Sequence, residues 1–151
     1  MIYHDLTQED ALALVEFGKG MHNETRYGKA EYSKEGVFRL LSLIKQYPDK
    51  FFIAYTKNSN EDITGVFMGQ LSFEYFSGKT TASDLGMFVH PNYRGSRIFY
   101  RMLKSFEQWA KDHGASRVLL YHSTGIEPEK TKKLFTKLEY DEFGSIFDKE
   151  L

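Results

Sequence analysis

Apolar side chains recur along this chain in two rhythms. One repeats every three or four residues: Phe99, Met102, Leu103, Phe106, Trp109 and Ala110 form a stripe, with Arg101, Lys104, Glu107, Gln108 and Lys111 on the opposite side. That pattern predicts an amphipathic helix, and Gly114 is placed to end it. The other rhythm is a continuous run, as in Phe51-Phe52-Ile53-Ala54-Tyr55, which marks a strand of the buried type.

Applied from the N-terminus, the same rhythms predict a short strand at Ile2-Tyr3-His4 and a helix carrying Ala11, Leu12, Leu14, Val15 and Phe17. Thr7 is its N-cap, with Asp10 three residues on. Met21 to Ser33 is a polar and aromatic loop. Ser33 caps a second helix through Val37, Leu40, Leu41 and Ile44, which stops at Tyr47-Pro48. Strands follow at Phe51 to Tyr55 and at Ile63 to Phe76, where Gly65 and Gly69 point to bulges or a close backbone approach. A hairpin at Ser77-Gly78-Lys79 leads into the strand that ends at Leu85 to Val89. Beyond the central helix come a strand at Arg117 to His122, a helix at Glu127 to Leu138 and a last strand at Tyr140 to Phe147. The expected order is βααβββαβαβ, one mixed α/β domain over residues 1–151, without repeats, low-complexity tracts or linkers.

The junction before the central helix is where the pattern acquires chemistry. His90-Pro91-Asn92-Tyr93 breaks the strand, because proline has no N–H for the ladder and asparagine favours turns. Arg94-Gly95-Ser96 then opens the helix. A strand feeding a glycine turn into a helix N-terminus is an anion site, since the first-turn N–H groups lack intrahelical partners and the dipole favours negative charge. Arg94, Arg97 and Arg101 surround it, so a phosphate-bearing ligand is expected.

Composition narrows the alternatives. The 151 residues include no cysteine, which excludes disulfides, thiolate metal sites and a cysteine nucleophile. The five histidines show no His-x-x-x-His spacing, so no metal is expected. A net charge of −1 argues against a general nucleic-acid binder. The lysines at 130, 132, 133 and 137 share a helix with Glu127 and Glu129 and form a solvated face. No apolar run approaches the ~20 residues needed to span a bilayer. The N-terminus lacks the basic and apolar regions of a signal peptide. A cytoplasmic protein is expected.

Val89-His90-Pro91-Asn92-Tyr93-Arg94-Gly95-Ser96-Arg97-Ile98-Phe99, set after the fourth strand, resembles the signature of the GNAT N-acetyltransferase superfamily: Val-x-Pro, then Gln/Arg-x-x-Gly-x-Gly/Ala. Leu134-Phe135-Thr136-Lys137-Leu138-Glu139-Tyr140 resembles the family's Leu-Tyr-Glu-Lys-Leu-Gly-Phe element. Met21-His22-Asn23-Glu24-Thr25 looks like a stretch seen in some bacterial and phage members. The resemblance implies a GNAT fold with a splayed central sheet, and transfer of an acetyl group from acetyl-CoA to an amine. It also implies that pairing into a homodimer is frequent for this fold. In the family scheme the pantetheine arm lies between the fourth and fifth strands, a backbone N–H near Phe88 or Val89 faces the thioester carbonyl, and the amides of Gly95 to Phe99 hold the pyrophosphate. Cofactor contacts are therefore expected at Phe88, Val89, Arg94, Gly95, Ser96, Arg97, Ile98 and Phe99.

The departures are specific. Arg97 stands where the family has glycine, and Phe99 where it has glycine or alanine; a non-glycine residue is tolerated at Arg97 if its φ is negative. Phe135 replaces a tyrosine that protonates the leaving thiolate in many members, and phenylalanine has no proton to give. Pro128 sits where asparagine is common, and Glu139 replaces the glycine of Leu-Gly-Phe.

Acyl transfer to an amine needs a proton acceptor for the amine, donors for the developing oxyanion and a proton for the departing thiolate. Asp84 is the candidate base; its bland alternative is a hairpin cap. Tyr121 and His122, at the end of the fifth strand, are candidates for proton transfer. His22, Glu24 and Arg26 are candidates to bind a charged acceptor, a small-molecule or peptide amine. The alternative to an enzyme is a non-catalytic GNAT-like domain that binds coenzyme A or a protein partner.

Overall fold

In the computed structural model, which describes residues 1–151, nine elements follow the chain. They are β1 (Ile2–Tyr3), α1 (Gln8–Glu24), α2 (Lys34–Gln46), β2 (Phe51–Lys57), β3 (Ile63–Glu74), β4 (Lys79–Val89), α3 (Ile98–Asp112), β5 (Ala115–Leu119) and α4 (Pro128–Lys137). The mixed α/β order predicted from the sequence holds through α4. The five strands form one sheet in the order β1-β2-β3-β4-β5. All neighbours are antiparallel except β4 and β5, which are parallel.

The continuous apolar run of β2 is explained by cover on both faces. Phe52 and Ala54 of β2 and Phe67 of β3 point to one side, where Met102, Leu103, Phe106 and Ala110 of α3 close over them. Ile53, Tyr55 and Val66 point to the other, against Leu14 and Val15 of α1 and Leu41 and Ile44 of α2. Phe67 and Phe106 lie 4.9 Å apart between ring centres. That close seat depends on Gly69, because a Cβ there would stand 2.3 Å from Phe106 Cε2. Gly69 also adjoins a register shift, so both expectations for the glycines of β3 are met.

The caps form as predicted. Thr7 Oγ1 accepts from the Asp10 N–H at 3.0 Å, and Ser33 Oγ accepts from the Gly36 N–H at 3.0 Å. Asp10 is itself buried at the α1–β2 contact, where the Tyr55 hydroxyl donates to Oδ2 (2.7 Å) and Lys57 Nζ lies 2.5 Å from Oδ1. Burial alone would raise the Asp10 pKa, but the bonds from Lys57, Tyr55 and Thr7 outweigh it and hold the carboxyl below its ordinary value.

Three boundaries differ from the sequence expectation. First, α1 runs on to Glu24, so His22 and Glu24 sit on the last helical turn rather than in a loop. Thr25 ends that helix and starts a 3₁₀ turn over Arg26–Lys29, its hydroxyl accepting from the Tyr27 N–H. Second, β5 stops at Leu119, which leaves Tyr121 and His122 in the loop before α4. Third, Tyr140 to Phe147 forms no strand. The apolar positions there, Tyr140, Phe143, Ile146 and Phe147, do not alternate and so cannot share one face of a sheet. Their surroundings bend the segment further: Tyr140 donates to Glu107 Oε1 at 2.8 Å, Lys132 pairs with Glu142, and Asp148 pairs with Arg26 at 2.6 Å.

Candidate active site

β5 pairs along its whole length with only the first half of β4. The last paired residues are Ser83 and Leu119, and past them β4 continues through Gly86 to Val89 with no strand on that side. This is the splayed sheet expected from the resemblance. Asp84 lies at the fork. Its Oδ1 accepts from the Tyr121 N–H at 2.6 Å, while Oδ2 has no protein hydrogen-bond partner. Burial pushes the Asp84 pKa up to about 6, and the Tyr121 N–H only partly offsets that rise.

Two cavities open from this point. One, of about 360 Å³, runs between the unpaired end of β4 and the β5–α4 loop to the start of α3, and includes Phe88, Val89, Arg94, Gly95, Ser96 and Phe99 in its wall. The second, of about 300 Å³, lies on the other side of β4, beneath the C-terminal turn of α1 and the first turns of α2. Met87, Tyr121 and Thr124 line both, so the cavities adjoin at the fork.

At the far end of the first cavity the turn before α3 is built to hold an anion. Gly95 has φ +82°, a left-handed backbone that strongly favours glycine, and the direction its Cβ would take is open. The backbone N–H groups of Gly95, Arg97, Phe99 and Tyr100 have no partner in the chain, and that of Ile98 has only the Ser96 hydroxyl at 3.4 Å. Gly65 allows α3 to sit close, since a Cβ there would meet Ile98 Cγ2 at 3.0 Å. Arg97 adopts φ −81°, which explains how an arginine replaces the family glycine without backbone strain. These groups fit a phosphate chain.

Other candidates are placed differently from expectation. Arg94 is turned back onto the protein: Nε donates to Val89 O at 3.0 Å, and its two terminal nitrogens reach Glu24 at 2.5 and 2.8 Å in a bidentate pair. Arg94 and Glu24 thus brace the end of β4 against α1. Arg26 faces Asp148, away from the second cavity. His22 does line that cavity and packs against Tyr32, ring centres 5.3 Å apart and tilted by 54°. His122 is tied to its own loop through Ile126 O at 3.0 Å. Phe135 stacks on Phe99 at 6.3 Å in the wall of the first cavity, so two of the departures from the family pattern meet there. Tyr121 brings a phenol to the fork from the β5–α4 loop.

Several residues of the second cavity carried no sequence signal. Tyr27 Oη donates to Ser123 Oγ at 2.9 Å and the Arg26 N–H donates to Thr124 O at 3.0 Å. These bonds join segments nearly a hundred residues apart.

The sequence matches the Acetyltransferase (GNAT) family over residues 19–140. The chain belongs to that family. Among solved structures, an acetyltransferase from Trypanosoma brucei superposes with a TM-score of 0.76 at 14% identity, covering 100% of this chain and 99% of that one. The Arabidopsis thaliana glucosamine-6-phosphate N-acetyltransferase gives 0.75 at 14% identity, with 99% and 98% covered. AAC(6')-Iy, in complex with the bisubstrate analogue CoA-S-monomethyl-acetylneamine, gives 0.75 at 15%, with 100% and 97% covered. At these identities the likeness establishes the fold. No curated protein matches the sequence. No helix is long and apolar enough to cross a membrane.

Proposed function

We propose that the protein transfers an acetyl group from acetyl-CoA to an amine by direct attack in a ternary complex. The observation that carries this reading is the meeting of two cavities at Met87, Tyr121 and Thr124, with the Asp84 carboxylate fixed at the fork. Bound acetyl-CoA supplies a thioester, from which the acetyl group passes as a carbon–nitrogen bond forms and a carbon–sulfur bond breaks. The turn at Gly95 to Tyr100 holds the pyrophosphate with its free N–H groups, and Phe88, Val89 and Phe99 flank the arm. Asp84 takes the amine proton at Oδ2. With its pKa near 6 it is ionised at neutral pH and still basic enough to do so. Tyr121 gives its phenolic proton to the sulfur, the role that Phe135 lacks the chemistry to fill. Acceptor contacts come from His22 at the edge of the second cavity; Glu24 and Arg94 act as a brace.

Calorimetric titration of acetyl-CoA and of free coenzyme A tests this. Micromolar binding of both is expected. Absence of binding overturns the cofactor assignment and leaves a GNAT-like domain that works through a partner. Phe135→Tyr is expected to leave turnover unchanged or raise it. A large loss in a folded variant assigns Phe135 to shaping the cleft through its stack on Phe99.

A further inference from the structure

The cavity on the α1–α2 side of β4 limits what the acceptor is. Its wall sets the apolar side chains of Met21, Val37, Leu40, Met68 and Leu85 beside the hydroxyls of Tyr32 and Thr124. It holds one carboxylate, Asp84, and one imidazole, His22, and no lysine or arginine. The nearby charges that sequence alone assigned to the acceptor are engaged elsewhere, Glu24 with Arg94 and Arg26 with Asp148. At about 300 Å³ the space is at the small end of ligand sites. The Tyr27–Ser123 and Arg26–Thr124 bonds tie two strips of the wall together.

On the acetyltransferase reading above, we infer that the acceptor is a small primary amine on an aromatic or apolar body, carrying no second charge. Its nitrogen lies at Asp84 and its body among Tyr32, Val37, Leu40 and Met68. A phosphate or carboxylate on the acceptor would meet no lysine or arginine there. A second ammonium would be buried without a partner, which apolar walls disfavour strongly.

The test uses four probes: 2-phenylethylamine, spermidine, glucosamine 6-phosphate and a decapeptide with N-terminal alanine. Each is titrated calorimetrically into the protein, with and without saturating coenzyme A, and assayed with acetyl-CoA by thiol release. The expected result is that 2-phenylethylamine binds at least about tenfold more tightly than the others and has kcat/KM at least about 100-fold higher. Equal or better binding by spermidine, the sugar phosphate or the peptide overturns the inference. So does failure of 2-phenylethylamine to bind in either state. If acetyl-CoA itself does not bind, the transferase reading fails, while the titrations without coenzyme A still decide what the cavity accepts. Leu40→Asp adds an anion to the wall, and in a variant shown to be folded by circular dichroism it is expected to shift preference toward spermidine.

Discussion

The two cavities that adjoin at Met87, Tyr121 and Thr124 are made in opposite ways. The far end of the cofactor cleft comes from one unbroken stretch, Tyr93 to Phe99, and its groups for an anion are backbone N–H groups. The acceptor cavity is collected from α1, α2, β3, β4 and the loop after β5, and its character comes from side chains. The first carries Arg94, Glu127 and Lys130 in its wall, whereas the second holds no lysine or arginine and sets Asp84 and His22 among apolar and hydroxyl-bearing side chains. Backbone chemistry demands little of sequence beyond a glycine and a helix start, so it tolerates Arg97 and Phe99. Side-chain chemistry depends on every wall residue.

The largest expected effect breaks the point where the two cavities join. Asp84→Asn should lower kcat/KM by about 10²–10⁴-fold while acetyl-CoA still binds. In the parent, kcat/KM should rise as pH increases through about 6, because the carboxyl accepts a proton only when ionised; that limb should vanish in the variant. Stability moves the other way. The folded pKa lies above the unfolded value of 3.8, so this group's contribution is fully present below that value and is lost as pH rises through about 6. Asp84→Asn should therefore melt higher than the parent at pH 7.

Gly95→Glu strikes the cofactor side alone. It forces a side chain into φ +82° and sets an anion at the phosphate turn, so coenzyme A affinity should fall at least about 100-fold by calorimetry. 2-Phenylethylamine binding to the free protein should persist. Gly69→Ala tests the packing beneath the cleft. Its methyl would overlap Phe106, and unfolding in urea should show a loss of about 1–3 kcal/mol.

Smaller effects sharpen the contrast. Glu24→Gln weakens the brace to Arg94, a partly exposed pair, so it should cost about 1 kcal/mol or less in stability. Coenzyme A affinity should stay within about threefold if, as proposed, backbone groups hold the phosphates. Glu139 takes φ +66° in the turn that ends α4, where the Glu139 N–H bonds Thr136 O and the Tyr140 N–H bonds Phe135 O. Glycine suits that position, and Glu139→Gly should stabilise by about 0.5–1 kcal/mol in the same urea assay.

Much of this was legible in order along the chain. The helical stripe of α3, the caps at Thr7 and Ser33, the buried run of β2 and the Arg94-Gly95-Ser96 turn all express local rules, which short windows carry. The errors arose where distant contacts decide local form. The C-terminal turn of α1 is settled against the chain after β5, through Arg26 and Tyr27, and that arrangement carries no periodicity. The segment after α4 was expected to be a strand, but Glu107, Lys132 and Arg26 hold it in another shape. Charged residues were the least legible of all. Glu24, Arg26 and Arg94 all suggested ligands, yet each is engaged by a partner far away in sequence.

By itself, then, the sequence determined most of the elements, the family and the glycine turn before α3, because each depends on neighbours within a few residues or on backbone groups that any side chain leaves in place. Only the tertiary structure decided which charges are neutralised, where β5 leaves β4, and that the cavity beneath α1 and α2 is small and holds no lysine or arginine. Those properties belong to residues brought together from the whole chain, and a charge or an apolar surface has a function only once its surroundings are fixed.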